Sequence, residues 1–331
     1  MRQSVSTLPE LLIRSYDAPA SAPFSWLREM AATLREQMLM SGAVLVHGLP
    51  VDGPNSLARA RDALGISGHV PNEAFNDRRD FGNGILGPIN WPNDRVICPF
   101  QESSFSRTFP PVVLTACLTP PVGDGVAHLS DARRIAEHLP ARLADRVLVA
   151  GWTLERTFHS GFGISWRDAF AVRDRDALGS VLEAAGIEAK WLHNGTLHTV
   201  RRLPGVITHP ATGEQCWFNQ ISFLNMGSLD PSERAVLVRS FGKHLPMNTY
   251  YGDGSTLTDE DLFAIHKAYD SVKIGIPWRC GDLLVADNIM MAQGRSAYEG
   301  VPEFLVALGG TEYSDRTGCH RSSFDAPGHR Q

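Results

Sequence analysis

Seven short apolar runs of strand length, set among turns and among helical stretches that do not alternate with them regularly, constrain this chain most. They are AVLVHGL (43–49), VVLTACL (112–118), VAHLS (126–130), TLHTVRRL (196–203), CWFNQISF (216–223), GDLLVADN (281–288) and EFLVALGG (303–310). Their β-branched and aromatic content marks them as strands. A doubly wound parallel sheet needs strand and helix in regular alternation, which is missing here. The expectation is a mainly β fold with helices, a sandwich or jelly roll.

The helical stretches are fewer. Residues 25–41 place Leu27, Met30, Ala31, Leu34 and Met38 on one face, with Ser25 as N-cap and Gly42 as the stop. Residues 131–148 read as helix interrupted near Pro140, and 174–185 as a second helix. Asp230-Pro231-Ser232-Glu233 supplies an N-cap, a proline at the first helical position and a glutamate at the capping-box position. Thr258-Asp259-Glu260-Asp261 opens a helix with Leu262, Ile265, Tyr269 and Val272 inward and an acidic first turn. Residues 68–100 carry Gly82, Gly84, Gly87, Pro88, Pro92 and Pro99, so an irregular stretch with short strands is expected there. No internal repeat or low-complexity linker divides the chain. The expected organisation is an extended lead-in over 1–24, one domain over 25–315 and a tail over 316–331.

Composition excludes several classes. Lys and Arg number 31 against 36 Asp and Glu, a net charge of −5, which provides no broad basic field for nucleic acid or anionic lipid. No apolar run reaches the roughly 18 residues that a membrane-spanning helix needs. The first twenty residues hold no signal-peptide core. Five widely spaced cysteines with no C-x-x-C fit reduced thiols in a cytoplasm. The sequence also has no P-loop, no G-x-S-x-G elbow and no H-E-x-x-H. Gly82-Asn83-Gly84 lacks the third glycine of a dinucleotide site.

Three C-terminal segments are more specific: 209–230 (HPATGEQCWFNQISFLNMGSLD), 245–255 (LPMNTYYGDGS) and 277–300 (PWRCGDLLVADNIMMAQGRSAYEG). With SGAVLVHGL, PNDRVICPFQESSFSRTFP (92–110) and CLTPPVGDGVAHLSDARRI (117–135), they resemble the TauD/TfdA family of iron(II)- and 2-oxoglutarate-dependent dioxygenases. Within that family the resemblance is to the branch that hydroxylates amino acids in antibiotic and non-ribosomal-peptide pathways. It covers about 40–310, in order, and implies a double-stranded β-helix, which is a jelly roll.

Measured against that resemblance, the chemical positions depart. Two histidines and one carboxylate hold iron in such sites. The family's H-x-[D/E] matches Phe100-Gln101-Glu102 here, and its H-G-R matches Gln293-Gly294-Arg295. None of the twelve histidines is followed two residues later by Asp or Glu, so no shift of alignment restores the first motif. The family's 2-oxoglutarate threonine falls in Gly125-Val126-Ala127, and the arginine for its distal carboxylate falls in Gly300-Val301-Pro302-Glu303. The expectation is therefore no metal and no cofactor, the alternative being iron(II) with 2-oxoglutarate on other ligands.

Glu102 is the candidate proton-transfer group, partly desolvated beside Phe100; the bland alternative pairs it with Arg295 or Arg107. Gln293 either orients a substrate carbonyl or fills a histidine-sized hole. Arg295 either binds an anionic group by its planar fork or pairs with Glu102. Phe100, Cys98, Arg107, Asn219 and Ala127 are the candidate substrate contacts, Cys98 on the face of Phe100. Strand alternation points only one of Ala127 and His128 inward. Asp287 and Asn288 are expected to fix a turn through their side chains. The reading is a non-oxidative step such as cyclisation, elimination, isomerisation or hydration on an amino-acid-derived small molecule, free or tethered to a carrier protein of a peptide synthetase. Its rivals are a dioxygenase with a rearranged iron site and a non-catalytic protein that binds an intermediate or supports a partner.

Overall fold

The apolar runs at 43–49 and 281–288 become strands buried on both faces. In a computed structural model that describes residues 13–123, 125–193 and 195–310, with the backbone of Tyr313–Ser314, six strands form one sheet. Their spatial order is Arg14–Asp17, Ala43–His47, Asp282–Asp287, Val112–Thr119, Glu303–Gly309 and Ile85–Leu86. The first pair is parallel and the rest antiparallel. Val44 and Val46 point to one side, against the helices that carry Leu27, Leu34 and Leu57. Ala43 and Leu45 point to the other, towards the interior that holds Ala127 and Leu129. Two-sided burial explains why AVLVH shows no polar alternation.

The sheet facing it has four antiparallel strands, Lys273–Pro277, Val126–Asp131, Met291–Arg295 and Ile97–Phe100, in that order. The two facing sheets make the expected jelly roll, with helices over the outer face of the larger one. A further sheet, Met247–Tyr251, Trp152–Phe158, Leu197–Leu203 and Glu188–Trp191, has its own apolar cluster around Phe158, Trp166, Leu178 and Leu197.

Several local expectations change. The stretch expected as an extended lead-in contributes the strand Arg14–Asp17. Helix 25–41 is two helices, Pro23–Glu29 and Ala31–Ser41, and the first is capped at Ala22 ahead of Pro23, not at Ser25. Gly42, at φ 78°, ends the second as expected, its N–H donating to Met38 O at 2.7 Å. The strand read over 216–223 stops at Trp217. Beyond it Asn219 Nδ2 donates to Gly205 O and its Oδ1 accepts from Ile221 N–H, so the side chain builds a turn. Glu233 does not close a capping box; it pairs with Arg95 at 2.8 Å, and Asp230 caps Ser232 N–H. Thr258 and Asp261, by contrast, complete a reciprocal box, with aspartate in place of the longer residue. The 316–331 tail and Cys319 lie outside the described residues. Among those described, no helix is long and apolar enough to cross a membrane.

Candidate functional site

A cavity of about 140 Å³ opens between the two facing sheets. A neighbouring one of about 170 Å³ shares Arg78, Ile89, Phe100 and Glu102 with it. Together they reach the lower end of the roughly 300–1,000 Å³ typical of small-molecule sites. The first lobe is walled by Ile97, Phe100, Ala127, Leu129 and Gln293 from the smaller sheet, and by Val113, Leu284, Phe304 and Val306 from the larger.

Register sets which side chains meet. Gln293 lies opposite Phe100 on one side and Leu129 on the other. Between Gln293 and Arg295 the ladder slips, so that Arg295 faces Ile97. Pro99 has no N–H to give to that ladder. A Cβ on Gly294 would stand 2.4 Å from Ile97 O and 3.0 Å from Pro99 N, so only glycine allows the strands to approach there. This bulge corrects the expectation for Cys98. Ile97 and Phe100 face the cavity, whereas Cys98 lines neither lobe. Burial, followed by the charge of Asp270, pushes its thiol up to about 12, so it is not poised as a nucleophile.

Glu102 is held by its backbone. Asn288, fully buried, accepts from Glu102 N–H at 2.8 Å and donates to Glu102 O and Pro110 O at 2.8 Å each. Asp287 accepts from Ile289 and Met290 N–H, so this pair does fix the turn. The neighbouring Gln101 turns away and donates to Trp217 O. The Glu102 carboxylate meets neither Arg295 nor Arg107. Its Oε1 accepts from Arg78 Nη1 at 2.8 Å, and both side chains are largely buried. The partner comes from the irregular 68–100 stretch, where no spacing pointed to it. The carboxylate is thus compensated, not isolated beside a ring.

Phe100 lies stacked on Phe223, ring centroids 4.6 Å apart. Gln293 Nε2 is buried with no hydrogen-bond partner. Such an orphaned donor costs about 1–3 kcal/mol, so an acceptor supplied by a ligand would be favoured there. Arg295 touches the first lobe, but its guanidinium donates to the carbonyls of Arg95 (2.9 Å), Pro92 (3.0 Å), Ser296 (3.1 Å) and Trp91 (3.2 Å), and stacks on Tyr298. Burial lowers its pKa. These bonds pin residues 91–95 to the sheet and engage both terminal nitrogens. Arg107 is exposed, packed over Gly186, and Asn219 lines neither lobe. Ala127 walls the first lobe, but so does its neighbour His128, against the expectation that only one of the two would face inward. His128 stands in register with Gly275 and Gly294, with burial and Lys273 lowering its pKa.

Of the second lobe's lining only Phe100 and Glu102 were anticipated. Its floor includes Glu73, nearly buried, which pairs with Arg156 at 2.6 Å and with Arg201. Arg201 also donates to Phe105 O, and Arg156 lies over the Phe75 and Phe158 rings. One carboxylate between two arginines fastens the 68–78 segment to the third sheet.

Residues 6–308 match the family model described as "Taurine catabolism dioxygenase TauD, TfdA family". The chain belongs to the TauD/TfdA family. It is 25% identical over 268 residues to the dapdiamide synthesis protein DdaC of Enterobacter agglomerans, covering 81% of this chain and 82% of that one. It is 22% identical over 284 residues to a clavaminate synthase-like protein of Arabidopsis thaliana, covering 81% of each. Among solved structures, PvcB, an Fe, α-ketoglutarate-dependent oxygenase from an isonitrile synthetic pathway, superposes with a TM-score of 0.52 at 15% identity, over 93% of this chain and 91% of that one. An asparagine oxygenase solved with Fe(II) and succinate gives 0.50 at 13%, over 86% and 79%. These last two show the TauD/TfdA fold.

The family's enzymes use Fe(II) and 2-oxoglutarate. The donors here can be tested against that group. The three positions that the motif match assigns to iron hold a phenyl ring stacked on Phe223, a carboxylate paired with Arg78, and a neutral amide. Among the described residues no three His, Cys, Asp or Glu side chains cluster so as to hold a metal ion. A facial triad needs two imidazoles and a carboxylate, and this donor set does not fit one. On the co-substrate side, Pro302 and Glu303 line neither lobe, and Glu303 accepts from Thr119 Oγ1.

Proposed function

We propose that this TauD/TfdA-family protein catalyses a metal-independent, non-oxidative step on an amino-acid-derived small molecule in natural-product biosynthesis. The observation that carries the reading is Glu102. It is the one carboxylate among the described residues of the first lobe, set at the junction of the two lobes with Arg78 as partner. A carboxylate fixed through its backbone, in an apolar pocket, suits proton transfer to or from carbon. Gln293 Nε2, unpartnered on the same wall, supplies a donor for a carbonyl whose oxygen gains charge as the proton leaves. Similarity to a dapdiamide synthesis protein supports the biosynthetic setting. Elimination, isomerisation, cyclisation through a carbanion and hydration of a carbon–carbon double bond each include such a proton transfer. A free substrate and one tethered to a carrier protein are both compatible with this reading.

The test is proton exchange at carbon. Wild-type protein, treated with a chelator and kept in D2O, is expected to incorporate deuterium into its substrate when offered amino-acid-derived intermediates of its own pathway. Glu102→Gln is expected to slow this by about 10²–10⁴-fold while the ligand still binds. Turnover that needs Fe(II) and 2-oxoglutarate and releases succinate would overturn the reading.

A further inference from the structure

We propose that Arg78 selects the ligand, and that it selects a free carboxylate, which displaces Glu102 from the guanidinium. The inference rests on the preceding reading of Glu102 as the reacting group and narrows its substrate class. What carries it is the way the pair is made. Arg78 Nε donates to Gly87 O at 3.0 Å and Nη1 donates to Glu102 Oε1 at 2.8 Å. No hydrogen bond engages Nη2 among the described residues. A guanidinium is a planar fork that holds carboxylates best through two parallel bonds. Here it makes one, because the Glu102 backbone is tied at both N–H and C=O by Asn288 and delivers its carboxylate to one edge of the fork.

Arg78 and Glu102 both wall both lobes, so the incomplete pair faces the space a ligand would fill. An arriving carboxylate can take both terminal nitrogens, and Gln293 Nε2, also unpartnered, can hold a neighbouring carbonyl. The exchange replaces one anion by another at Arg78, so the buried cation is never left alone. It also frees Glu102 to turn to the ligand. The acyl oxygen of a thioester is neutral and cannot compete with Glu102 for the guanidinium. The site therefore takes the free acid, not the carrier-tethered form, with its apolar part towards Phe304 and Trp278.

The probes are 3-phenylpropionate and its isosteric amide, 3-phenylpropionamide, titrated against the full chain with tryptophan fluorescence as readout. The acid is expected to bind about tenfold tighter than the amide or better, a difference of about 1.4 kcal/mol. Arg78→Gln is expected to erase that preference. Glu102→Gln removes the competing anion and is expected to tighten the acid severalfold, which keeps the inference testable should Arg78→Gln not fold. Equal binding of acid and amide, failure of the acid to bind, or weaker acid binding in Glu102→Gln would each overturn it. Full turnover in Glu102→Gln with the acid preference intact would instead remove the function reading and leave Arg78 as the anion site.

Discussion

At Asn288 one side chain ties three backbone groups and so decides where Glu102 points. Asn288→Ala strands those buried groups and is expected to cost about 2–4 kcal/mol of stability, read from the urea midpoint at constant slope. Asn288→Asp keeps the acceptor but sets a buried carboxylate against the Glu102 and Pro110 carbonyls, so it should cost at least as much. The histidines give a second residue-scale expectation. Burial lowers the pKa of His128, His198 and His266 in the folded chain. Between their folded and unfolded values the unfolded chain binds more protons, so stability rises with pH there. Stability should be complete above about pH 6.5 and fall as the pH drops below it. His266→Gln should flatten that slope between pH 7.5 and 5.5; an unchanged slope would contradict it. Some of this scale was legible in sequence. Phe100, Glu102 and Gln293 were found because a motif frame pointed to their positions. Arg78 was not, because its pairing with Glu102 spans 24 residues of irregular chain and has no periodicity to announce it.

Among the elements, burial on two faces made Ala43–His47 and Asp282–Asp287 easy to read, since a run of apolar residues bounded by turns has few other uses. The segment 216–223 misled for a related reason. Its aromatic residues fit a strand, but Asn219 and Gln220 are amides that satisfy backbone groups and turn the chain. The Ile97–Phe100 and Met291–Arg295 ladder depends on Gly294. Gly294→Ala drives a methyl group into Ile97 O and should cost about 1–3 kcal/mol and shift the ring of Phe100, visible in the aromatic NMR region. The helix Asp259–Ser271 should lose about 1 kcal/mol with Thr258→Ala, because its reciprocal cap goes with the hydroxyl.

Across the whole molecule, the jelly roll was legible from strand content and motif order, whereas the site was half legible. The 68–95 segment closes the cavities without regular structure, and two long-range devices hold it: Glu73 between Arg156 and Arg201, and Arg295 under the carbonyls of 91–95. Glu73→Gln leaves two buried guanidiniums without a counter-charge and is expected to cost about 3–5 kcal/mol, with proteolysis first appearing within 68–78. The proposed proton-transfer role rests on a TauD/TfdA scaffold with a phenyl ring and an amide at the motif's imidazole positions. Anaerobic titration of the full chain with Fe(II) and 2-oxoglutarate, followed by metal analysis and by the visible charge-transfer band of the ternary complex, tests that most directly. Neither stoichiometric iron nor a band is expected. One iron per chain with the band present would contradict it, and would mean that other side chains supply the ligands.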